Sequence, residues 1–303
     1  MLRHTLFILV PMVLAVAVLP FVYSNQLLLF NFIVFMALAQ GVNIIYGFTG
    51  YLPFGYVGFF GAGAYGFSLV VMHLHASPFL ALGAGALAAV LLGLLLTPLF
   101  RLSGAYFSIA NLAAALALLQ IVSNPALEDV TKGPYGVSLS GVFDPGLAYG
   151  VALAILAATT MLVIYLKNSR FGMALQAIRE DSISAAMAGI NVVRERVIAW
   201  LLSALIAGLV GGVFAWRIST FYPETVFSGE VSIFAIVFAL FGGTATIVGP
   251  LLGVIILYGI YNAIGISTPQ YFQLIYGLLI MGLVLFLPNG LVSLLRRWGI
   301  DVP

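Results

Sequence analysis

No lysine, arginine, aspartate or glutamate occurs between Arg3 and Arg101, nor again between Glu230 and Arg296. Each gap holds several apolar runs near the roughly 20 residues that cross a bilayer as a helix. A charge at the bilayer centre costs about 2.5–3.5 kcal/mol on insertion scales, so long charge-free stretches are the signature of spans. Composition agrees: of 303 residues, 63% are hydrophobic and 7% charged. A soluble domain carries about a quarter charged residues to face water. Polar groups are too few here to cover a soluble globule, and the solvent must be lipid.

Ten hydrophobic segments follow, near 5–23, 26–46, 52–72, 79–100, 104–123, 147–166, 197–216, 230–246, 248–263 and 270–288. The expected fold is all-α, a polytopic membrane helix bundle of about ten transmembrane segments (eight to ten), forming a single domain over 1–303. The N-terminus, with Arg3, His4 and then an apolar run, has the shape of a signal peptide. An uncleaved first helix is expected instead, because many spans follow. The eighth and ninth segments meet at 242–250, either a tight turn or a break within one long element.

The positive-inside rule fixes the expected topology. With both termini cytoplasmic, Arg3, Arg101, Lys167, Arg170, Arg179, Arg194, Arg196, Arg296 and Arg297 fall inside. Only Lys132 and Arg217 fall outside, beside Glu128, Asp129, Asp144, Glu224 and Glu230. Merging the eighth and ninth segments would strand Arg296 and Arg297 outside.

Residues 167–196 concentrate charge: Lys167, Arg170, Arg179, Glu180, Asp181, Arg194, Glu195 and Arg196. Phe171 to Met187 contains no proline and many Ala, Leu and Met, which favour helix. Leu175, Ile178 and Ser182 fall on one side of it and Gln176 and Glu180 on the other. Gly189 supplies a C-cap, and Asn191 or a neighbour starts the next helix. The sequence thus predicts a short helix on the cytoplasmic surface between two spans. It reads either as a solvated basic loop or as a docking element for a cytoplasmic partner.

The run Ser169-Arg170-Phe171-Gly172-Met173-Ala174-Leu175-Gln176-Ala177-Ile178-Arg179-Glu180-Asp181, then Ala185 to Asn191, closely resembles the coupling-helix region of LivM-type permeases. These belong to ATP-binding-cassette (ABC) importers of branched-chain amino acids. The resemblance continues through Asn43 to Gly47, Gly58 to Tyr65, Gly104 to Ile109, Thr131 to Gly136, and Phe227-Ser228 through Gly242-Gly243 to Gly249-Pro250. It implies a membrane permease subunit working by alternating access on a branched-chain or other hydrophobic amino acid. Its implied setting is the cytoplasmic (inner) membrane of a bacterium or archaeon. The implied partners are two cytoplasmic ATPase subunits, a second homologous permease, an extracytoplasmic binding protein and membrane lipid, with no nucleic acid. ATP and magnesium would be used by the ATPases, and this chain would carry no cofactor. Arg179, Glu180, Asp181, Ala185, Ala186 and Gly189 become the ATPase-coupling candidates. Three departures bear on the substrate. Tyr56 stands where the family usually has His, Phe234 follows Ser232-Ile233 where an acid is frequent, and Gly242-Gly243-Thr244-Ala245-Thr246 replaces a Gly-Gly-x-Gly-Ser pattern. Urea, amides and aromatic acids therefore stay open as substrates.

The pathway candidates are Tyr56, Gly58, Gly61, Gly63, Tyr65, Tyr106, Gly242 and Gly243. Glycines three or four apart equally let helices approach closely, and Tyr65 and Tyr106 equally suit interfacial anchors. The alternative for the glycines is an unwound helix beside the path, where backbone meets a polar ligand. His73 and His75 lack a third ligand nearby and carry no metal expectation. Cysteine is absent, residues 136–141 lack the Gly-x-Ser-x-Gly spacing, and no Gly-Lys-Ser/Thr phosphate loop exists. The sequence places no ionisable group deep in a span to bind a driving ion. An enzyme and a self-sufficient secondary carrier are thus disfavoured, and energy is expected to enter from a partner.

Overall fold

The computed structural model describes residues 25–267, 271, 274, 277–278, 281–282 and 290–297. The expected first span (5–23) lies outside the described residues, as does most of the tenth (270–288). The described part is predominantly helical. The first helix among the described residues, α1 (Gln26–Val42), is capped by Asn25, whose Oδ1 accepts from the Leu28 amide at 3.0 Å. It closes in a π-helical turn over Asn43–Gly47. Then follow α2 (Val57–Leu74), α3 (Pro78–Leu95) with a 3₁₀ turn at Thr97–Arg101, α4 (Ala105–Val122) and α5 (Pro145–Asn168). Two short helices, α6 (Arg170–Glu180) and α7 (Ser182–Met187), lead to α8 (Val192–Ile218). The chain goes on through α9 (Gly229–Gly242) and α10 (Gly249–Ser267), and α11 (Gly290–Arg297) follows.

Seven helical stretches among the described residues are long and apolar enough to cross a membrane: 26–47, 57–74, 78–101, 105–122, 145–168, 192–218 and 223–242. The shorter apolar stretch Gly249–Gly265 adds to them. These match the expected segments with shifted boundaries: the span expected at 197–216 starts at Val192, and that expected at 230–246 runs over 223–242. The predicted span at 52–72 begins instead at Val57. Apolar residues at 51–54 misled the reading; Pro53 lacks an amide proton and pushes Leu52 away from helical geometry, and Gly50 has φ +80°.

Small residues set the packing of α2, α3 and α8. A Cβ on Gly63 would stand 2.5 Å from the Gly208 Cα, and closer still to its carbonyl oxygen. A Cβ on Gly208 would press on Ala89 and stand 3.1 Å from the Gly85 carbonyl oxygen. Backbones can approach this closely only where side chains are absent. Around the triple crossing Trp200 donates to the Gly93 carbonyl at 3.0 Å and Trp216 to that of Val142 at 2.8 Å. These bonds satisfy two indole N–H groups that burial would otherwise penalise.

α9 and α10 form an antiparallel hairpin. Phe234 meets Tyr261 at 4.9 Å between centroids, and Phe238 meets Tyr258 at 6.2 Å. Gly242 and Gly253 allow the close approach, since a Cβ at either would collide with the facing backbone. Residues 243–248 are thus a turn between two helices, which resolves the junction left open by the sequence.

The connections gather at two ends. At one end lie the linker 48–56, the turn ending at Arg101, the segment 169–191 with Arg170, Arg179, Arg194 and Arg196 around it, the α9–α10 turn and α11. At the other, the strands Val137–Ser138 and Thr220–Phe221 pair antiparallel, near Glu128, Asp129, Asp144, Glu224 and Glu230. This two-residue ladder is a small addition to the expected all-α fold. α1 sits mostly inside the bundle, whereas only 22% of the α4 window and 28% of the α3 window is buried. Those two helices present apolar faces outward.

Candidate functional site

The segment between α5 and α8 is built from short-range signals. Ser169 caps α6, its Oγ accepting from the Gly172 amide at 3.0 Å. Gly172 is required because a Cβ there would overlap the Leu166 carbonyl at the end of α5. Gly172, Leu175 and Ile178 are buried, three apart along one face.

The single helix expected over 171–187 is two helices. Asp181 leaves helical geometry (φ −154°, ψ 112°) and caps α7, accepting from the Ile183 amide at 2.9 Å and the Ser184 hydroxyl at 2.5 Å. Asp and Ser compete with the helix by offering such local bonds, and favour caps over interiors. The Ser184 hydroxyl first, then the Ile183 amide, holds the Asp181 carboxyl below the usual carboxylate range. At the far end Gly189 takes φ +86°, and the Ile190 amide reaches back to the Ala185 carbonyl at 3.1 Å. That is a Schellman C-cap, a position glycine fills without strain. Asn191 caps α8 through the Arg194 amide at 3.1 Å.

The coupling candidates divide between two faces. Ala185 is buried against the bundle, while Glu180, Asp181, Ala186 and Gly189 are exposed, Glu180 and Asp181 at the rim of a cavity. Arg179 reaches inward, its guanidinium donating to the Gly47 carbonyl at the end of the π-turn. Beside the outward set lie Met173, Ile183, Met187 and Val193, with Met187 78% exposed. Sequence reasoning missed this apolar outward surface. Its signal was available as apolar residues out of register with Leu175 and Ile178 in a charged stretch.

The π-turn continues the connection into the bundle. Asn43 is fully buried; its Nδ2 donates to the Thr246 carbonyl at 2.8 Å, and its Oδ1 accepts from the Ala245 amide at 2.7 Å. Gln40 Nε2 donates to the Ile247 carbonyl at 2.7 Å. Two side-chain amides thereby satisfy the backbone of the α9–α10 turn, which has no helical partners of its own. Single π-turns within α-helices are frequent at functional positions. Arg179 bonds one end of the π-turn at Gly47 and Ala245 bonds the other end at Asn43, so the turn joins the surface segment to the hairpin.

The structure does not bring the eight pathway candidates together. Five lie on α2 or its cap, and α2 runs unbroken over Val57–Leu74 rather than unwinding. Tyr56 is buried, donating to the Ser203 carbonyl at 2.9 Å. Gly58 faces Ala115, Gly61 faces the Phe227 ring and Gly63 faces Gly208. Tyr65 is buried, edge-on to Phe221 at 5.7 Å, with its hydroxyl unpartnered among the described residues. Tyr106 is 75% exposed on the outward face of α4. Gly242 meets Gly249, and Gly243 (φ +119°) lies under Val292 of α11. At the departures from the family pattern, Ser232 Oγ accepts from the Val57 amide at 2.7 Å, and Phe234 stacks with Phe238 in the hairpin.

Beneath α6 lies a cavity of about 880 Å³, walled by residues 49–54, the entry of α4, residues 178–182 and Arg196. Arg196 lies over the Tyr51 ring at 4.7 Å.

Comparison with known proteins gives this architecture a family. Residues 22–285 match the family described as the permease component of the branched-chain amino acid transport system. The high-affinity branched-chain amino acid transport system permease protein LivM of Escherichia coli K12 is 27% identical over 97% of this chain and 76% of its own. The probable branched-chain amino acid transport permease protein LivH of Methanocaldococcus jannaschii is 25% identical over 90% of each. The L-arabinose ABC transporter permease protein AraH of Azospirillum brasilense is 28% identical over 60% of this chain and 57% of its own. No solved structure is a significant match. A multi-pass helical bundle matched over nearly its whole length places the chain in one group: it belongs to the family of branched-chain amino acid transport system permease components.

Proposed function

We propose that this chain is a permease subunit of an ATP-driven ABC importer, moving branched-chain or other hydrophobic amino acids by alternating access. It would lie in the inner membrane of a bacterium or archaeon with ten spans and the basic end in the cytoplasm. A second permease, two ATPases and an extracytoplasmic binding protein complete the assembly, and ATP and magnesium act in the ATPases. The exposed faces of α3 and α4 leave room for a neighbouring permease or lipid.

The observation that carries this reading is the two-faced α6–α7 pair. Its outward face joins Glu180, Ala186 and Gly189 to exposed Ile183 and Met187, an apolar patch with a charged rim that suits a groove on a cytoplasmic ATPase. Its inward side is tied through Arg179 to Gly47, and onward through Asn43 to the α9–α10 turn. Displacing α6 would strain that path and re-pack the hairpin against α1. Packed interfaces switch between discrete arrangements rather than deform smoothly, so a docked motor could turn closure into a change of access. Tyr56, Gly58, Gly61, Gly63, Tyr65, Tyr106, Gly242 and Gly243 keep their role here as candidates for surfaces that move against one another or border the path.

The amino-acid substrate is drawn from the LivM and LivH relatives; the arabinose relative, urea, amides and aromatic acids supply the alternatives. Vesicles holding the chain with and without its co-purified partners test the proposal. ATP-dependent leucine uptake only in the complete assembly is the expected result. Uptake by the chain alone, indifferent to ATP, would establish a secondary carrier instead.

A further inference from the structure

The cavity under α6 has a binding chemistry beyond the docking and coupling roles given above to residues on its rim. Four charged side chains line it, Arg179, Glu180, Asp181 and Arg196, two of each sign. Two are engaged: Arg179 on the Gly47 carbonyl, and Asp181 as the cap of α7. The other two retain open valences. Arg196 lies over Tyr51, and its Nε is buried without a hydrogen-bond partner among the described residues. Glu180 is an exposed carboxylate on the rim. An orphaned buried donor is costly and asks for an explanation. Leu52, Phe54, Ile109 and Ile178 give the same cavity apolar walls.

We infer that this cavity binds a zwitterion, with an anionic oxygen on the Arg196 guanidinium, an ammonium at Glu180 and an apolar substituent along Leu52, Phe54 and Ile109. A lone cation or anion would leave one of the two open charges uncompensated, whereas a zwitterion meets both. Two sources share this chemistry. One is an apolar α-amino acid on the basic side of the membrane; this choice rests on the function proposed above. The other is an ethanolamine phospholipid headgroup, since Ile109 is 62% exposed and continues the cavity toward the outward face of α4. Either ligand would bridge the 49–54 linker, α4 and α6. It would hold the coupling segment in place and slow the cycle, so that accumulated product or membrane composition sets the rate.

The test uses the co-purified importer in nanodiscs of phosphatidylglycerol alone or mixed with phosphatidylethanolamine. Wild type is compared with Arg196→Met, which keeps the stem on Tyr51, and with Arg196→Lys, which keeps the charge. In the first arm radiolabelled leucine is the probe, added to the permease–ATPase assembly freed of its binding protein. Arg196→Met is expected to weaken its binding at least about tenfold, the scale of a charge-assisted bond, with partial recovery in Arg196→Lys. In the second arm, phosphatidylethanolamine retained from the mixed bilayer is counted by mass spectrometry, with the same pattern expected. Loss in the first arm identifies the amino acid and loss in the second the lipid, and either upholds the site. Equal binding of both probes by wild type and Arg196→Met, or binding of neither by wild type, overturns it, provided all proteins run as folded assemblies. Failure of wild-type leucine uptake would instead strike the proposed function and leave the lipid arm standing.

Discussion

Replacing Asn43 by Ala should cost the permease about 2–3 kcal/mol of stability, a figure that follows from what the amide touches. Two short bonds go, to the Ala245 amide and to the Thr246 carbonyl. Side-chain hydrogen bonds between membrane helices average only about 0.6 kcal/mol, because the unfolded helices also find partners. That average would give about 1 kcal/mol here. These bonds differ in that their partners are backbone groups of a non-helical turn inside the protein. Leaving a buried backbone group unsatisfied costs about 1–3 kcal/mol. The larger effect should therefore win. Asn43→Asp should be no better, since it keeps an acceptor for Ala245 but turns a second acceptor, with charge, toward the Thr246 carbonyl. Denaturant titration of the purified protein in mixed micelles measures the difference, and uptake by the same variants should fall with ATPase association retained. A loss below about 0.5 kcal/mol, the range of an ordinary surface substitution, would falsify the clamp.

Three further outcomes follow. Gly63→Leu should prevent the α2–α8 crossing, since even a Cβ meets the Gly208 backbone; overpacking of this kind costs about 1–3 kcal/mol or more, and fluorescence-detected gel filtration should show little monodisperse protein. Glu180→Arg and Gly189→Trp should each abolish ATPase association while leaving membrane insertion intact, and normal co-purification of the ATPases with both would sink the docking assignment. The Asp181 carboxyl is depressed in the folded protein, so its cap on α7 is fully present above the unfolded carboxylate pKa of about 3.9 and weakens as pH falls through the folded value. Proteolysis of the 180–189 segment in sealed inverted vesicles should therefore rise below that range in wild type and stay flat in Asp181→Asn, and a matching rise in the variant would refute the cap.

Much of the fold was legible because lipid imposes simple rules. Charge-free apolar runs located the spans, and the grouping of Arg101, Arg179 and Arg196 at one end repeats the arrangement read from the positive-inside rule. The sequence showed the capping signals at Gly189 and Asn191 as well. It hid the break at Asp181, because alanine, leucine and methionine on both sides favour continuing a helix and only the Asp-Ser pair argues otherwise. It also hid the start of α2, where Tyr51, Leu52 and Phe54 look like a span until Pro53 and Gly50 are weighed. The α1–hairpin clamp was beyond reach for a different reason. Asn43 and Ala245 lie 202 positions apart, and no local pattern announces a bond that only the assembled bundle creates. The same holds for the Gly63–Gly208 crossing, where glycine spacing permits packing without naming the partner.

The central claim is that this chain works as one part of an ATP-driven assembly docked on residues 170–189. The measurement that meets it most directly is affinity purification of the tagged protein from native membranes, with partners identified by mass spectrometry. The account predicts recovery of ATPase subunits, a second permease and a binding protein, with the ATPases lost from Glu180→Arg. Recovery of the chain alone, stable and active in uptake, would contradict it.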